Sequence, residues 1–256
     1  MIKKKYKLAV LTVDPSSKKS GGSILGDKTR MPELSTSSEA FIRPSPSGEE
    51  LGGVARRTRE SMILVESAGF DITIIETVGV GQSETTVSEM VDMFVVLLQP
   101  ASGDELQGIK KGIIELSDLI VVNKSDGEQE IQAKKTQNEY SNALHLLTTK
   151  KSSWTPKIFR CSSLEKRGIN EIWNSVKNYV EIHRNSGEWE EKRKSQTSKW
   201  MWSLVEEGLL INFNNNSKLK NKIPEFEKAV NNGKMLPTTA AKQMLNLANS
   251  KNIRKE

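Results

Sequence analysis

The chain has 256 residues, with 38 Lys and Arg against 32 Asp and Glu, and a formal net charge of +6. This length allows a sizeable core, and the basic residues are spread along both halves without interleaved aromatics, which argues against a nucleic-acid partner. A single cysteine excludes an intrachain disulfide framework, and no apolar run approaches the ~20 residues of a membrane span. We therefore expect a cytoplasmic protein, or one of the mitochondrial matrix if eukaryotic, that binds neither nucleic acid nor membrane.

The first predicted strand is the apolar run over residues 7–13. Asp14, Pro15 and two serines follow it, and proline and serine commonly end strands. Asp14 is therefore an acid at the C-terminal end of a strand, where α/β proteins bind ligands.

The segment 20–53 is rich in glycine, serine and proline and shows no sustained periodicity. So long a connection is usually functional or disordered, and we predict a switch-like loop around phosphates. Residues 21–29 resemble a phosphate-binding P-loop. We do not assign one there, because the extra residue Asp27 would place a carboxylate against the phosphates.

A β-branched run over 72–76 ends in Glu76, and Gly79 follows three residues later. This pattern predicts a buried parallel strand whose last side chain faces the ligand crevice. Gly79 allows a close approach of the backbone to a ligand. Nucleotide hydrolases use an acid and a glycine in this arrangement to hold Mg²⁺ and to contact a γ-phosphate.

Strands and helices alternate along the first 185 residues. Helices are predicted over 54–68, 105–116, 128–147 and 168–180, a further buried strand over 94–98, and strands over 119–122 and 157–161. This alternation predicts an α/β fold, a mostly parallel sheet with helices on both faces.

Asn123-Lys124-Ser125-Asp126 follows the predicted strand 119–122 and matches the N-K-x-D guanine-recognition motif of GTPases. The Asp126 carboxylate can accept hydrogen bonds from both N1–H and the exocyclic amine of guanine, which adenine does not offer in that arrangement. Lys124 can lie along the base plane, and Asn123 can hold neighbouring loops.

Ser162, Ser163 and Leu164 follow the next strand, where GTPases place a short loop that closes over the base with backbone N–H groups. Cys161, just before them, is either a redox or metal-binding thiol or, as we favour, a core residue. His145 and His183 are predicted to lie on helix surfaces rather than to act as bases or ligands.

The composition changes after about residue 186. We predict two domains, an α/β domain over 1–185 and a helical arm over 186–256, with a loop over 212–222 and breaks at Pro224 and Pro237. The arm carries apolar residues at helical spacing, namely Trp189, Trp200, Trp202, Leu204 and residues 209–211.

Several longer stretches carry a family resemblance, namely residues 13–17, 21–31, 42–46, 76–82 and 103–112. Together with the residue 123–126 motif they resemble the MeaB/ArgK family of methylmalonyl-CoA mutase-associated P-loop GTPases. The resemblance extends from about residue 7 to the C-terminus.

The resemblance implies a site in three parts. It places Asp14, Asp27 and Glu76 beside Mg²⁺ and the phosphates, directly or through water. It gives Arg30, Glu76 and Gly79 roles at the γ-phosphate. The guanine site would comprise Asn123, Lys124, Asp126, Ser162, Ser163 and Leu164.

The same resemblance implies a function: a GTPase chaperone of an adenosylcobalamin-dependent mutase that gates cofactor loading and protects the mutase. GTP or GDP and Mg²⁺ are the implied cofactors, whereas the cobalamin is carried by the mutase. Residues 103–111 would communicate with that partner. The arm would form a homodimer.

Family members also place a strand and a Walker A P-loop before the strand that begins here at residue 7. This sequence contains neither, so we expect an N-terminally incomplete domain with a seam in its sheet and without hydrolysis, since phosphoryl transfer depends on positioning by that cradle. The alternatives are a non-hydrolysing binding or dimerisation module and the older family label of a transport-system kinase. No H-R-D or D-F-G kinase string occurs in the sequence.

Overall fold

The computed structural model describes residues 6–15, 31–47, 51–77, 83–100, 111–147 and 152–249. The chain divides into two compact units, Met1–Gln196 and Thr197–Glu256. No helix within the described ranges is both long and apolar enough to cross a membrane.

The described strands form two three-stranded parallel sheets. The first sheet has the order β2-β1-β3 and the second the order β4-β5-β6. No ladder joins β3 to β4 in this part of the chain, so the described strands form two separate sheets. The strands are β1 (Leu8–Pro15), β2 (Ala40–Ser47), β3 (Ile72–Thr77), β4 (Val95–Leu98), β5 (Leu119–Val122) and β6 (Lys157–Arg160).

Helices connect these strands, and parallel strands require such crossovers. The first unit contains α1 (Pro32–Ser35), α2 (Leu51–Ser67), α3 (Ser83–Ser88), α4 (Lys111–Leu116), α5 (Glu130–Leu147) and α6 (Ile169–Ser186). Helix α7 (Glu188–Asn214) contains the point of division, and α8 (Ser217–Lys220), α9 (Ile223–Asn231) and α10 (Pro237–Asn249) follow.

Strand β5 shows why helices cover both faces of the second sheet. All four of its residues are buried, and successive side chains of a strand point to opposite faces. Ile120 and Val122 pack with Tyr140 of α5, whereas Leu119 and Val121 pack with Val176 of α6. The predicted α/β architecture is confirmed.

The prediction of an irregular segment over 20–53 is wrong for the part that forms β2. This strand pairs in parallel with β1 and contains Pro44 and Pro46. Proline has no backbone N–H to donate, but β2 lies at the edge of its sheet, where proline is tolerated. The prolines therefore mark an edge strand rather than a loop.

The predicted loop over 212–222 is also partly wrong, because α7 continues to Asn214 and α8 forms one short turn of helix. Asn216 caps α8 by accepting a hydrogen bond from the Lys218 N–H (3.0 Å). Pro224 and Pro237 lie in the first turns of α9 and α10, where the missing N–H of proline costs nothing. They separate helices, as predicted.

The surface position predicted for His183 is wrong, since only 5% of this residue is exposed. Its ring lies against that of Tyr179, with the ring centroids 3.9 Å apart. Its Nδ1 is 2.9 Å from the Tyr179 carbonyl oxygen, and its Nε2 is 3.5 Å from Glu188 Oε2. The helical stripe of Val176, Tyr179 and His183 would have indicated this burial. The side chain of His145 lies outside the described residues.

A polar network fixes the start of α7 within the first unit. Arg193 donates to both carboxylate oxygens of Asp92 (2.7 and 2.6 Å) and to Glu66 (3.2 Å). Lys192 Nζ and the Tyr179 hydroxyl both donate to the Asp92 carbonyl (2.6 and 2.9 Å). The Asp92 carboxylate raises the pKa of Arg193, and burial, aided by the charge of a neighbouring carboxylate, raises the pKa of Tyr179. Both side chains therefore keep their protons across the physiological pH range.

Candidate functional site

The loops that follow β5 and β6 are held against each other by their backbones. The Cys161 N–H donates to the Val122 carbonyl (2.9 Å), and the Ser125 N–H donates to the Cys161 carbonyl (2.9 Å). The ladder between the two strands thus extends past their C-terminal ends. The predicted base-binding residues stand on these two loops, at the edge of the sheet where parallel α/β folds bind ligands.

Asn123 joins the two loops through its side chain. Its Oδ1 accepts hydrogen bonds from the Ser163 N–H (3.1 Å), the Ser163 hydroxyl (3.0 Å) and the Cys161 thiol (3.4 Å). Three donors on one amide oxygen fix the distance between the loops. The structure therefore brings Asn123, Ser162 and Ser163 together, as the sequence predicts.

Lys124, next to Asn123, takes an unusual backbone conformation, whereas that of Asp126 is ordinary. Lys124 has φ = 58°, in the left-handed region that a non-glycine residue seldom adopts. Its Nζ donates to Gln99 Oε1 at the end of β4 (3.2 Å). Asp126 is extended and half-buried, and it precedes a 3₁₀ turn without capping it through its carboxylate. A strained backbone such as that of Lys124 is characteristic of ligand-binding loops.

The loop after β6 forms a small closed turn. Ser162 is fully buried and exchanges two backbone hydrogen bonds with Arg167 (3.0 and 3.1 Å). The Ser162 hydroxyl accepts from the Glu165 N–H (2.9 Å). Leu164 stands at the tip of the turn and is 84% exposed. Such exposure leaves the tip open to a ligand.

Gly168 ends this turn and begins α6. Its φ is +81°, and a Cβ added there would lie 2.4 Å from the Arg160 carbonyl oxygen. Both the conformation and the lack of space require glycine. The turn is therefore built tightly onto the end of β6.

Cys161 is a core residue. It packs with Leu119 and Val121, and burial raises the pKa of its thiol. A thiol with a raised pKa carries little thiolate and is a poor metal ligand or nucleophile. The core interpretation is confirmed.

The predicted metal and phosphate residues lie on the first sheet, as far as the structure describes them. Glu76 pairs in register with Thr12, and the backbone of Asp14 lies two residues further along β1. Aspartate and glutamate are residue types that bind Mg²⁺, and these two stand on neighbouring strands. Within the described ranges no group of three possible ligands is present. Asp27, Arg30 and Gly79 lie outside the described residues, so their predicted roles stay predictions.

A protein-family model described as "Methylmalonyl Co-A mutase-associated GTPase MeaB" matches residues 1–218. The chain belongs to the MeaB family. By family it is a GTPase, a hydrolase acting on GTP.

Named relatives and a solved structure agree with the MeaB assignment. A putative GTPase of Caulobacter vibrioides is 49% identical over 94% of this chain and 73% of its own length. The mitochondrial methylmalonic aciduria type A homolog of Mus musculus is 50% identical over 94% of this chain, which spans 58% of the mouse protein. A crystal structure titled "LAO/AO transport system kinase" superposes with a TM-score of 0.73 at 37% identity, covering 96% of this chain and 72% of that one.

The structure adds three residues to this candidate site that the motif alone does not identify. Gln99 contacts Lys124, Gly168 shapes the turn after β6, and Arg167 donates to the Ser125 carbonyl (2.6 Å). Gly168 could have been found from its place before an amphipathic helix. Gln99 and Arg167 carry no comparable sequence signal, because their roles depend on which strand ends become neighbours.

Proposed function

We propose that this MeaB-family chain binds guanine nucleotides on the loops after β5 and β6 and acts as a GTPase chaperone of an adenosylcobalamin-dependent mutase. The observation that carries the proposal is the Asn123 side chain, whose oxygen holds Ser163 of the second loop (3.0 and 3.1 Å). This contact assembles the N-K-x-D motif and the base-closing loop into one surface.

Each residue of this surface has a role in base recognition. The Asp126 carboxylate accepts from N1–H and the exocyclic amine of guanine, which selects guanine over adenine. Lys124 lies along the base, with its ammonium group positioned by Gln99. The backbone N–H groups of Ser163 and Leu164 close the loop over the base. Ser162 supports that loop from the interior.

The phosphate side belongs to the first sheet in this proposal. Asp14 and Glu76 would hold Mg²⁺, with Asp27 as a third acid, and the ion would neutralise charge on the phosphate oxygens. In a domain that also has the Walker A cradle, Arg30 and the Gly79 N–H would stabilise charge on the γ-phosphate while water attacks it.

The partner assignments rest on the family. The family model names methylmalonyl-CoA mutase as the associated enzyme, and we propose an adenosylcobalamin-dependent mutase as the client, with the cobalamin held by the client. Gating of cofactor loading and protection of the mutase are part of the same proposal. The expected compartment, cytosol or mitochondrial matrix, stays a prediction; the mouse relative is mitochondrial by name.

A homodimer through the arm is the third part of the proposal. Helix α7 has no buried residue among those described, and Trp202, Val205 and Leu209 are exposed on one stripe with i, i+3, i+7 spacing. An exposed apolar stripe of this length usually packs against a partner. A second copy of the chain carries the same stripe and could pack against it. Trp202→Glu should shift the chain to a monomer in sedimentation velocity, whereas Ser203→Glu, on another face of α7, should not.

The central test is a titration of the 256-residue chain with fluorescent GDP in the presence of Mg²⁺. GTP should displace the probe and ATP should not. Asp126→Asn should weaken GDP binding about a hundredfold or more, because two hydrogen bonds to a charged group become one neutral contact. It should improve binding of xanthosine diphosphate, whose 2-oxo group can accept from the new amide.

Glu128→Gln is the matched control, since Glu128 is an exposed acid two residues from Asp126. Its GDP affinity should equal that of the wild type. A chain folded by circular dichroism that binds no guanine nucleotide would refute base recognition by these loops. The client assignment is tested by sedimentation with methylmalonyl-CoA mutase, where complex formation should differ between GDP and a non-hydrolysable GTP analogue.

A further inference from the structure

The Arg167 side chain connects the two base-binding loops at a point that the sequence motif does not include. Its Nη2 donates to the Ser125 carbonyl (2.6 Å), while its backbone belongs to the turn after β6. Its guanidinium also lies 3.4 Å from a carboxylate oxygen of Glu130, at the start of α5, and 3.4 Å from one of Glu165, in the turn after β6. One cation therefore spans both loops.

The backbone of Arg167 is itself held in place by hydrogen bonds, so the side chain that contacts Ser125 extends from a fixed position. Arg167 exchanges two hydrogen bonds with buried Ser162 (3.0 and 3.1 Å). Gly168, the next residue, is packed against the Arg160 carbonyl. Because the backbone of Arg167 and that of the next residue are both held in place, the guanidinium contacts Ser125 from a fixed backbone position.

The Ser125 carbonyl belongs to the peptide unit whose N–H is that of Asp126. The other backbone group of Ser125, its N–H, donates to the Cys161 carbonyl (2.9 Å). Arg167 and Cys161 thus bind both backbone polar groups of Ser125. Together they fix the plane of the peptide that joins Ser125 to Asp126. A planar peptide transmits that orientation directly to the next Cα.

We propose that Arg167 is a positioning residue for guanine specificity, which acts by holding the Ser125–Asp126 peptide so that the Asp126 carboxylate meets the 2-amino edge of the base. The inference rests on the function proposed above. Binding groups must be held within about 0.5 Å of their productive geometry by the residues around them. A charge-assisted bond of 2.6 Å to a carbonyl is suited to that task.

The alternative role is that of an exposed ion pair with Glu130 and Glu165. Such pairs contribute little to stability, and their loss would change affinity for all nucleotides alike. The two roles are separated by comparing GDP with inosine diphosphate, because hypoxanthine lacks only the 2-amino group that Asp126 recognises. A purely structural residue leaves the ratio of the two dissociation constants unchanged.

The experiment measures this ratio for the 256-residue chain and for Arg167→Gln, Arg167→Lys and Arg57→Gln. The wild type should prefer GDP about 10- to 100-fold, the value of one hydrogen bond to a charged group. Arg167→Gln should lower the preference about threefold or more, and Arg167→Lys should lie between the two, since lysine keeps the charge without the planar fork. Arg57, exposed on α2, is the control and should leave the ratio unchanged.

Amide hydrogen exchange of the same proteins gives a second result that needs no nucleotide. In Arg167→Gln the amides of Ser125, Asp126 and Ser162 should exchange faster, while those of β1 keep the wild-type rate. An unchanged nucleotide ratio or unchanged exchange at these amides overturns the role of Arg167. Absence of guanine binding in the wild type, with faster local exchange in the variant, overturns the proposed function and the specificity role together, and leaves only the hold of Arg167 on the Ser125–Asp126 peptide.

Discussion

Gly168→Ala should destabilise the protein far more than Gly187→Ala, although the two glycines have nearly the same conformation. They flank α6, with φ of +81° and +80°. A Cβ at Gly187 meets nothing within 4 Å, whereas a Cβ at Gly168 would lie 2.4 Å from the Arg160 carbonyl oxygen and 3.1 Å from Cys161. The pair therefore separates the cost of a left-handed alanine from the cost of a steric overlap.

The expected magnitudes follow from these two costs. A left-handed alanine costs about 1–2 kcal/mol, reduced by about 0.4–1 kcal/mol because alanine also restricts the unfolded chain. We expect Gly187→Ala to lose about 1 kcal/mol. Relieving the overlap at Gly168 requires backbone movement worth about 1–3 kcal/mol more. The total for Gly168→Ala is then about 2–4 kcal/mol.

The assay is urea denaturation followed by tryptophan fluorescence and far-ultraviolet circular dichroism, with the free energy of unfolding compared between the two variants. The GDP dissociation constant is measured in parallel. Gly168→Ala should also weaken GDP binding, because the overlap displaces the turn that carries Ser163 and Leu164. Equal destabilisation by the two substitutions would refute the argument that close packing fixes this turn.

Three further predictions concern groups described above. The backbone N–H of Ser153 holds the pKa of Glu188 below its ordinary value. The Glu188 carboxylate therefore contributes its full stabilisation above the ordinary pKa, and this contribution is lost as the pH falls through the lowered pKa. Glu188→Gln should accordingly make the free energy of unfolding less dependent on pH in the acid range. The buried thiol of Cys161 should react slowly with a disulfide reagent in the native state and at once in denaturant, and fast native labelling would contradict its burial. Arg193→Gln should cost about 1–2 kcal/mol more than Arg184→Gln in thermal unfolding, because both guanidinium groups stack on Trp189 but Arg193 also bridges two carboxylates.

The sequence was sufficient for elements whose signal is local. The strand at 119–122 is a short apolar run, and the motif at Asn123 stands at a strand end where its chemistry requires it. Strand β2 was missed because its prolines favour a loop, and only its pairing with β1 shows that it is an edge strand. Local composition does not show whether a strand lies at the edge of its sheet or between two other strands.

Residues for the candidate site can be proposed from the sequence, but the contacts that connect them cannot. Asp126 and Ser163 follow from the motif, whereas the contact of Arg167 with Ser125 depends on the parallel pairing of β5 with β6. Such contacts join residues distant in sequence, so periodicity along one element does not contain them.

The division into two sheets sets an order of folding events. In the second sheet Val95 pairs with Leu119, whereas in the first sheet Leu8 pairs with Ile72. The shorter loop costs less entropy to close, so the second sheet should gain amide protection first in pulsed hydrogen exchange during refolding. On the ribosome the sequence of events is reversed: β1 emerges early, and its apolar residues remain without β3 until synthesis passes residue 77. A nascent chain of this length therefore exposes the edge of β1 that β3 later covers, and an unpaired apolar edge is prone to aggregation.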